Sequence, residues 1–398
     1  MAVNVPGLAA VVVFDIVILV IGIWASRKSK KVEKTCAGTK SEVAIVGGRN
    51  INVLVGIFTM TATWVGGGYI LGTAEAVYSP SQGLIWAMGP PAYLTNFVLG
   101  GLFFAKPMRS KRYVTMLDPF QHRYGNMLTA TLLLPALMSD ILWVACILAA
   151  LVALPAVADV SHTINLNQTI GTSWVGELKL EDAGKWADEM LLLALGGLAY
   201  QALYQRILSA ASSAQAQLSL EQWLRLQASE RELQWVIRIS VLVVGLAGTG
   251  LAFGDDSVFG LWLVSSDLLY CVLFPQLICV LHCGFANSYG AFSGFTMGLL
   301  LRALSGEPLL GIPAVILYPG WREVHGVIVQ YFPFRTLAML ASLTGVIAVS
   351  WLVQLGFYHK LIPQSWDLLG AFEEKTKGQE EEVPVPLEEK NNILNTKL

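Results

Sequence analysis

Three threonines, a tryptophan and three consecutive glycines fall together between Phe58 and Tyr69 (Phe-Thr-Met-Thr-Ala-Thr-Trp-Val-Gly-Gly-Gly-Tyr), inside a stretch apolar enough to cross a membrane. Glycine lacks a Cβ and weakens a helix, so Gly66, Gly67 and Gly68 mark where a membrane helix is expected to unwind. Backbone groups freed at membrane depth are tolerated where they line a cavity or hold a ligand. Broken helices of this kind hold ions and substrates in secondary transporters. Trp64 and Tyr69 flank the break and offer π faces to a cation. The chemistry implied is binding and transport of a small molecule. A nucleotide-binding glycine loop would follow a strand, and none precedes this one.

Further aromatics lie on apolar stretches, several of them beside Gly or Pro: Trp86, Tyr93, Trp143, Tyr200 and Tyr204. Each alone reads as an interfacial anchor or as packing. Together they suit a cage for a quaternary ammonium, which has no N–H to donate and is held by π faces. Gly196-Gly197-Leu-Ala-Tyr200 is a second, weaker copy of the glycine break. Two facing breaks are what an inverted-repeat transporter needs. Asp140 and Asp267 are carboxylates deep in apolar stretches, and Asp15 sits near the middle of the first. Intramembrane acids are costly and so are functional candidates. The competing reading pairs each within the bundle, and for Asp267 packing or gating is favoured.

The elements that must position these residues are membrane helices. The chain has 398 residues, of which 55% are hydrophobic and 14% charged, with a mean hydropathy of +0.58; soluble domains carry about 25% charged residues. The net charge of −2 identifies no partner, and no basic patch or nucleic-acid motif is present. Cys36, Cys146, Cys271, Cys279 and Cys283 form no disulfide framework, and the five histidines form no metal-spaced pair. Residues 7–26 read as a retained first span rather than a cleaved leader.

Apolar stretches of spanning length fall at 7–26, 50–73, 83–105, 127–157, 190–207, 235–254, 258–281, 287–304 and 335–357, giving an all-α integral membrane protein of about nine transmembrane helices. The connection after the first carries Arg27, Lys28, Lys30, Lys31, Lys34 and Lys40. That after the third carries Lys106, Arg109, Lys111, Arg112 and Arg123. Both are expected on the cytoplasmic side. Connections 74–82 and 255–257 have no lysine or arginine, and 158–189 holds a glycosylation sequon at Asn167. Nine spans then place the N-terminus outside and the C-terminus in the cytoplasm. Residues 208–234 read as a polar, helix-prone link. The chain divides into a membrane domain, 1–360, and a glutamate-rich, disordered tail, 361–398.

Thr59 to Tyr69 followed by Gly72-Thr-Ala-Glu-Ala-Val-Tyr78 resembles the high-affinity choline transporters of the sodium/solute symporter family. So do Gly101-Leu-Phe-Phe-Ala-Lys-Pro-Met-Arg-Ser110, Val114-Thr-Met-Leu-Asp-Pro-Phe-Gln121, Tyr204-Gln-Arg206, Ser265-Ser-Asp-Leu268, Phe274-Pro-Gln276 and Phe332-Pro-Phe334. These blocks cover most of residues 1–360. The resemblance implies a LeuT-like inverted-repeat fold and sodium-coupled, chloride-dependent import of choline across the plasma membrane for acetylcholine synthesis. It also implies presynaptic terminals and synaptic vesicles as the location. Trp64, Tyr93 and Trp143 match family positions of the aromatic choline site. Tyr200 stands where the family has tryptophan, and Ala199 where it has proline; tyrosine still supplies a π face. Thr59 and Ala62 fall where such transporters present backbone carbonyls to sodium. The implied partners are choline, sodium, chloride and the lipid bilayer, with no other cofactor; self-association into a homo-oligomer stays open.

The family has thirteen spans, and the resemblance implies that this chain lacks four: one pair near 151–158 and one near 218–229. The second gap removes the serine-rich helix that completes the family's sodium site, so the inverted repeat is incomplete here. Two functions follow. One is the symporter; the other is a non-transporting shortened isoform or a regulatory membrane partner of the full-length transporter. No nucleophile–base set or metal motif points to an enzyme.

Overall fold

The computed structural model describes residues 13, 16–17, 19–25, 27, 51, 53–79, 82–111, 113–158, 174–209, 230–252, 257–324 and 326–372. Asp15, Asn167, the segment 218–229 and the acidic residues from 373 onward lie outside them.

The glycine run breaks a helix. Helix α1 (Val53–Trp64) stops at the tryptophan and α2 (Gly67–Tyr78) starts beyond Gly66, and the two are bent by 56°. The hydrogen-bond ladder reaches as far as Val65 N–H to the Thr61 carbonyl (2.8 Å) and resumes at Ile70 N–H to the Gly66 carbonyl (3.0 Å). The carbonyls of Ala62, Thr63, Trp64 and Val65 therefore receive no backbone donor among the described residues. A second break follows in α6 (Ala183–Gly196), which tightens into one 3₁₀ turn at Gly197–Ala199. Tyr200 then leaves the helical region (φ −75°, ψ 129°) before α7 (Gln201–Ser209). This pair is bent by 50°.

Between the breaks, α3 (Gly89–Leu99) carries its prolines in the first turn, where no N–H is needed. It widens into a π-helical turn, Gly100–Phe104, and continues as α4 (Ala105–Ser110). The long α5 (Asp118–Ala158) kinks at Gly125, whose φ of 81° only glycine adopts readily. Helix α8 (Glu230–Ala252) packs along α5. Helix α9 (Val258–Leu268) passes through a π turn, Leu269–Leu273, into α10 (Phe274–His282), and this span is buried almost throughout. Helices α11 (Ser288–Leu304) and α12 (Phe334–Tyr358) are joined by a segment containing the antiparallel pair β1 (Arg322–Val324) and β2 (Val327–Val329).

Three of these helical segments are long and apolar enough to cross a membrane: α5 over Asp118–Ala150, α9 with α10, and α12. Each bent pair passes the same criterion as a unit. Of the other apolar stretches read from the sequence, 83–105, 235–254 and 287–304 fall on α3–α4, α8 and α11, while 7–26 lies only partly within the described residues. Leu133, Leu134, Leu242, Leu246, Leu340, Trp351 and Leu352 project outward from α5, α8 and α12. That apolar belt suits lipid tails rather than water. Helices α11 and α12 approach closely through glycines four residues apart: a Cβ on Gly294 would stand 2.6 Å from the Ser342 carbonyl oxygen, and one on Gly298 2.9 Å from the Ser342 Cβ. Small residues in register are how membrane helices maximise contact.

The connections meet in two sets. Leu84 and Ile85 N–H donate to the carbonyls of Trp174 and Val175 (2.9 and 3.0 Å), Trp186 Nε1 donates to the Ile85 carbonyl (2.8 Å), and Arg322 pairs with Glu181 (2.5 Å). In the other set, Arg123 Nε donates to the Ala286 carbonyl (2.9 Å) and Tyr289 to Asp367 (2.9 Å). This grouping is the one that alternating membrane crossings require. Within residues 361–372, Phe372 stacks on Phe357 at 4.6 Å.

Candidate functional site

The two breaks meet at a cluster of aromatic rings. Trp64, the last residue of α1, makes T-shaped contacts with Tyr93 of α3 (4.9 Å between centroids), Phe97 (5.6 Å) and Tyr200 at the second break (5.8 Å). Trp143 of α5 packs edge-on against Tyr200 at 5.9 Å. The four aromatics set against the family's choline site, Trp64, Tyr93, Trp143 and Tyr200, therefore lie in one cluster. Each aromatic pair of this geometry is worth roughly 0.5–1.5 kcal/mol beyond area burial, so the rings hold the breaks together as well as lining them.

Sequence reasoning missed Trp262. It lies on α9, stacked neither with nor away from the cluster but edge-on to Tyr93 (5.5 Å) and Tyr69 (5.8 Å). Tyr69 in turn stacks on Tyr93 at 5.2 Å. The only signal was the residue type, because Trp262 sits in an apolar run that reads as packing. Trp86 and Tyr204 are buried but make no ring contact with this cluster; Trp86 instead lies under Lys185, 5.9 Å from its centroid.

Polar atoms are sparse at the cluster. Asn96 Nδ2 donates to the Ala194 carbonyl (2.9 Å), tying α3 to the second break. Tyr200 donates to Ser265 Oγ (3.3 Å), and Ser139 Oγ to the Ser265 carbonyl. Trp64 Nε1, Tyr93 OH, Asn96 Oδ1 and Thr73 Oγ1 are buried with no hydrogen-bond partner among the described residues. Buried polar groups are normally satisfied. A cluster with donors and an acceptor to spare is therefore equipped to bind a ligand that has both an apolar cationic end and a hydroxyl.

Of the two residues read as sodium ligands, Ala62 has its carbonyl off the helix ladder. The Thr59 carbonyl accepts from Thr63 Oγ1 (2.7 Å), which itself accepts from Arg206 Nε (3.0 Å) of α7. This chain of bonds joins the two broken helices beneath the aromatic cluster. Asp140 is exposed on α5, next to the buried Ser139. Asp267 is buried and held between Arg302 (Nε at 2.5 Å) and Arg335 (Nε at 3.3 Å). One carboxylate the sequence did not single out matters here. Glu75 of α2 accepts from Ser257 Oγ (2.7 Å) and Phe259 N–H (2.9 Å) at the start of α9. A negative charge there satisfies free donors and is stabilised by the positive end of the helix dipole.

No protein-family model matches the chain. Among curated proteins it is 34% identical to high-affinity choline transporter 1 of Torpedo marmorata, an alignment covering 93% of this chain and 89% of the relative. Identity to the Homo sapiens protein of that name is 34% with the same coverage, and to that of Caenorhabditis elegans 32%, covering 92% and 88%. The chain belongs to the high-affinity choline transporter family. The family's members are named as transporters, in keeping with a chain that is not an enzyme. The alignment to the Torpedo protein runs over 523 residues although this chain has 398, so more than a hundred aligned positions have no counterpart here.

Proposed function

We propose that this protein imports choline across the plasma membrane, coupled to sodium and dependent on chloride, on a LeuT-like inverted-repeat scaffold. The observation that carries this reading is the convergence of Trp64, Tyr93, Trp143 and Tyr200 where two broken helices meet. Choline's trimethylammonium group has no N–H, so ring faces are its natural partners, at roughly 0.5–2 kcal/mol each. Its hydroxyl finds Tyr93 OH, Trp64 Nε1 or Asn96 Oδ1, the atoms left without partners. The rings touch one another, so choline enters by parting them. Hinging at Gly66 and Gly197 does this without distorting the rest of either helix. Sodium binds at the first break, with the freed Ala62 carbonyl as one ligand and Thr59, whose carbonyl must give up its bond from Thr63 Oγ1, as the other. Its positive charge draws the two half-helices together and couples its gradient to the choline site. By the distribution of basic residues, the N-terminus is outside and the C-terminus cytoplasmic. Uptake of labelled choline into cells displaying the protein, in sodium and in a sodium-free medium, tests this reading.

A second reading is favoured by one observation, the residues of the relatives that have no counterpart here. If they comprise four spans near 151–158 and 218–229, the sodium site loses a wall. The chain would then act as a non-transporting partner of a full-length transporter. Co-expression with such a transporter, reading its surface abundance, separates this role from transport by the chain itself.

A further inference from the structure

Apart from the aromatic cluster, the bundle encloses a network of charges drawn from four elements. Asp267 of α9 lies between Arg302 of α11 and Arg335 of α12, and Arg302 also reaches Glu307 at 2.5 Å. Asp188 of α6 accepts from the Arg335 and Thr336 amides (3.3 and 2.7 Å) and from Thr336 Oγ1 (2.6 Å), with the Arg335 guanidinium at 3.8 Å. Each of these three carboxylates is engaged by a donor. Glu189, the next residue of α6, is not. It is 3% exposed, its Oε1 has only Lys185 at 3.9 Å, and its Oε2 has no hydrogen-bond partner among the described residues.

The charges do not balance. Asp188, Glu189, Asp267 and Glu307 supply four negative charges, against three positive ones on Lys185, Arg302 and Arg335. The charged groups in whose field Glu189 lies are Lys185, Arg335, Asp188 and Glu307. Helix α3, packed against α6, contributes no charged residue and only Tyr93 as a titratable one; α9 and its π turn contribute Asp267, Tyr270 and Cys271. A buried carboxylate with a free oxygen is costly unless a positive charge joins it. Only one charge is wanting. A divalent ion would overfill the deficit and needs six or more oxygen ligands if calcium-like, while the neighbouring carboxylates are already committed to arginines.

We propose that Glu189 holds a small monovalent cation, sodium or a proton, which completes the charge of this buried network. This site is separate from the aromatic cluster, and the proposal stands whether or not the chain carries choline.

The test uses the purified full-length chain in detergent. Its thermal unfolding midpoint is followed as sodium replaces N-methylglucamine at constant ionic strength, at mildly acidic and mildly alkaline pH. If sodium is the ion, the midpoint rises saturably with sodium, as binding to the folded state alone requires. If the proton is the ion, the midpoint is higher at the lower pH and indifferent to sodium. In either case Glu189→Gln loses that response, and a protonated-carboxyl infrared band that sodium removes, or that alkali removes, disappears with it. Glu189→Asp keeps the charge and retains the response with half-saturation shifted several-fold. A wild-type midpoint indifferent to both ions overturns the proposal, with no variant needed. So does a Glu189→Gln protein that responds as the wild type does.

Discussion

Trp64 and Tyr200 stand 5.8 Å apart, centroid to centroid, although each is the aromatic residue at the break of a different helix. Their contact makes the two breaks one site. Gly197 allows it: a Cβ there would stand 2.6 Å from Asn96 Nδ2 and 3.4 Å from the Trp64 ring.

Replacing Trp64 by alanine removes the ring that three others contact. Given roughly 0.5–2 kcal/mol per cation–π contact, the choline concentration for half-maximal uptake should rise between about twofold and about thirtyfold. Trp64→Phe should fall between alanine and wild type. Concentration-dependent uptake measures both, and an alanine variant with wild-type half-saturation would remove Trp64 from the site.

Gly197→Ala should destabilise the second break by about 1–3 kcal/mol, the usual cost of overpacking. Asn96 must move to make room, which releases the Ala194 carbonyl. The thermal midpoint should drop, and the double variant Gly197→Ala with Asn96→Ala should recover part of the loss.

Arg302→Met leaves Asp267 and Glu307 without their shared guanidinium. Removing one member of a buried pair costs about 3–5 kcal/mol when the other charge is left uncompensated; Arg335 still reaches Asp267 (3.3 Å) and Glu307 (3.7 Å), so the loss here is expected toward the lower figure. The variant should be scarce at the cell surface. Adding Asp267→Asn should restore more protein than Asp267→Asn leaves alone would suggest by addition, a coupling that a double-mutant cycle measures.

Glu75→Gln weakens the acceptor that receives Ser257 and Phe259 at the start of α9. A loss of about 0.5–2 kcal/mol is expected for a lost helix-start acceptor. Hydrogen exchange at Phe259 and Gly260 should speed up while that of α12 is unchanged.

The helix breaks were legible because glycine acts locally: Gly66 to Gly68 and Gly196-Gly197 weaken a helix wherever they occur in it. The choice of Trp64, Tyr93, Trp143 and Tyr200 came from the family resemblance; residue type alone did not separate them from Trp86 and Tyr204, which are buried elsewhere. Trp262 was not, since nothing near it distinguishes a ligand-facing tryptophan from a packed one. Nor was the pairing of Asp267 with Arg302 and Arg335. Those residues are far apart in sequence, and only the packing of α9 against α11 and α12 brings them together. Asp140 shows the opposite limit. Depth along a span was readable, but the exposure of Asp140 on α5 was not.

The account rests on the aromatic cluster as a choline site driven by sodium, and one measurement bears on it most directly. The purified chain is sealed into lipid vesicles, an inward sodium gradient is imposed, and labelled choline inside is followed over time. Accumulation above the external concentration is expected, collapsing when the gradient is dissipated and, at choline concentrations below the wild-type half-saturation, reduced in Trp64→Ala. Choline that never exceeds the level in protein-free vesicles, with folded protein verified in the membrane, would contradict it.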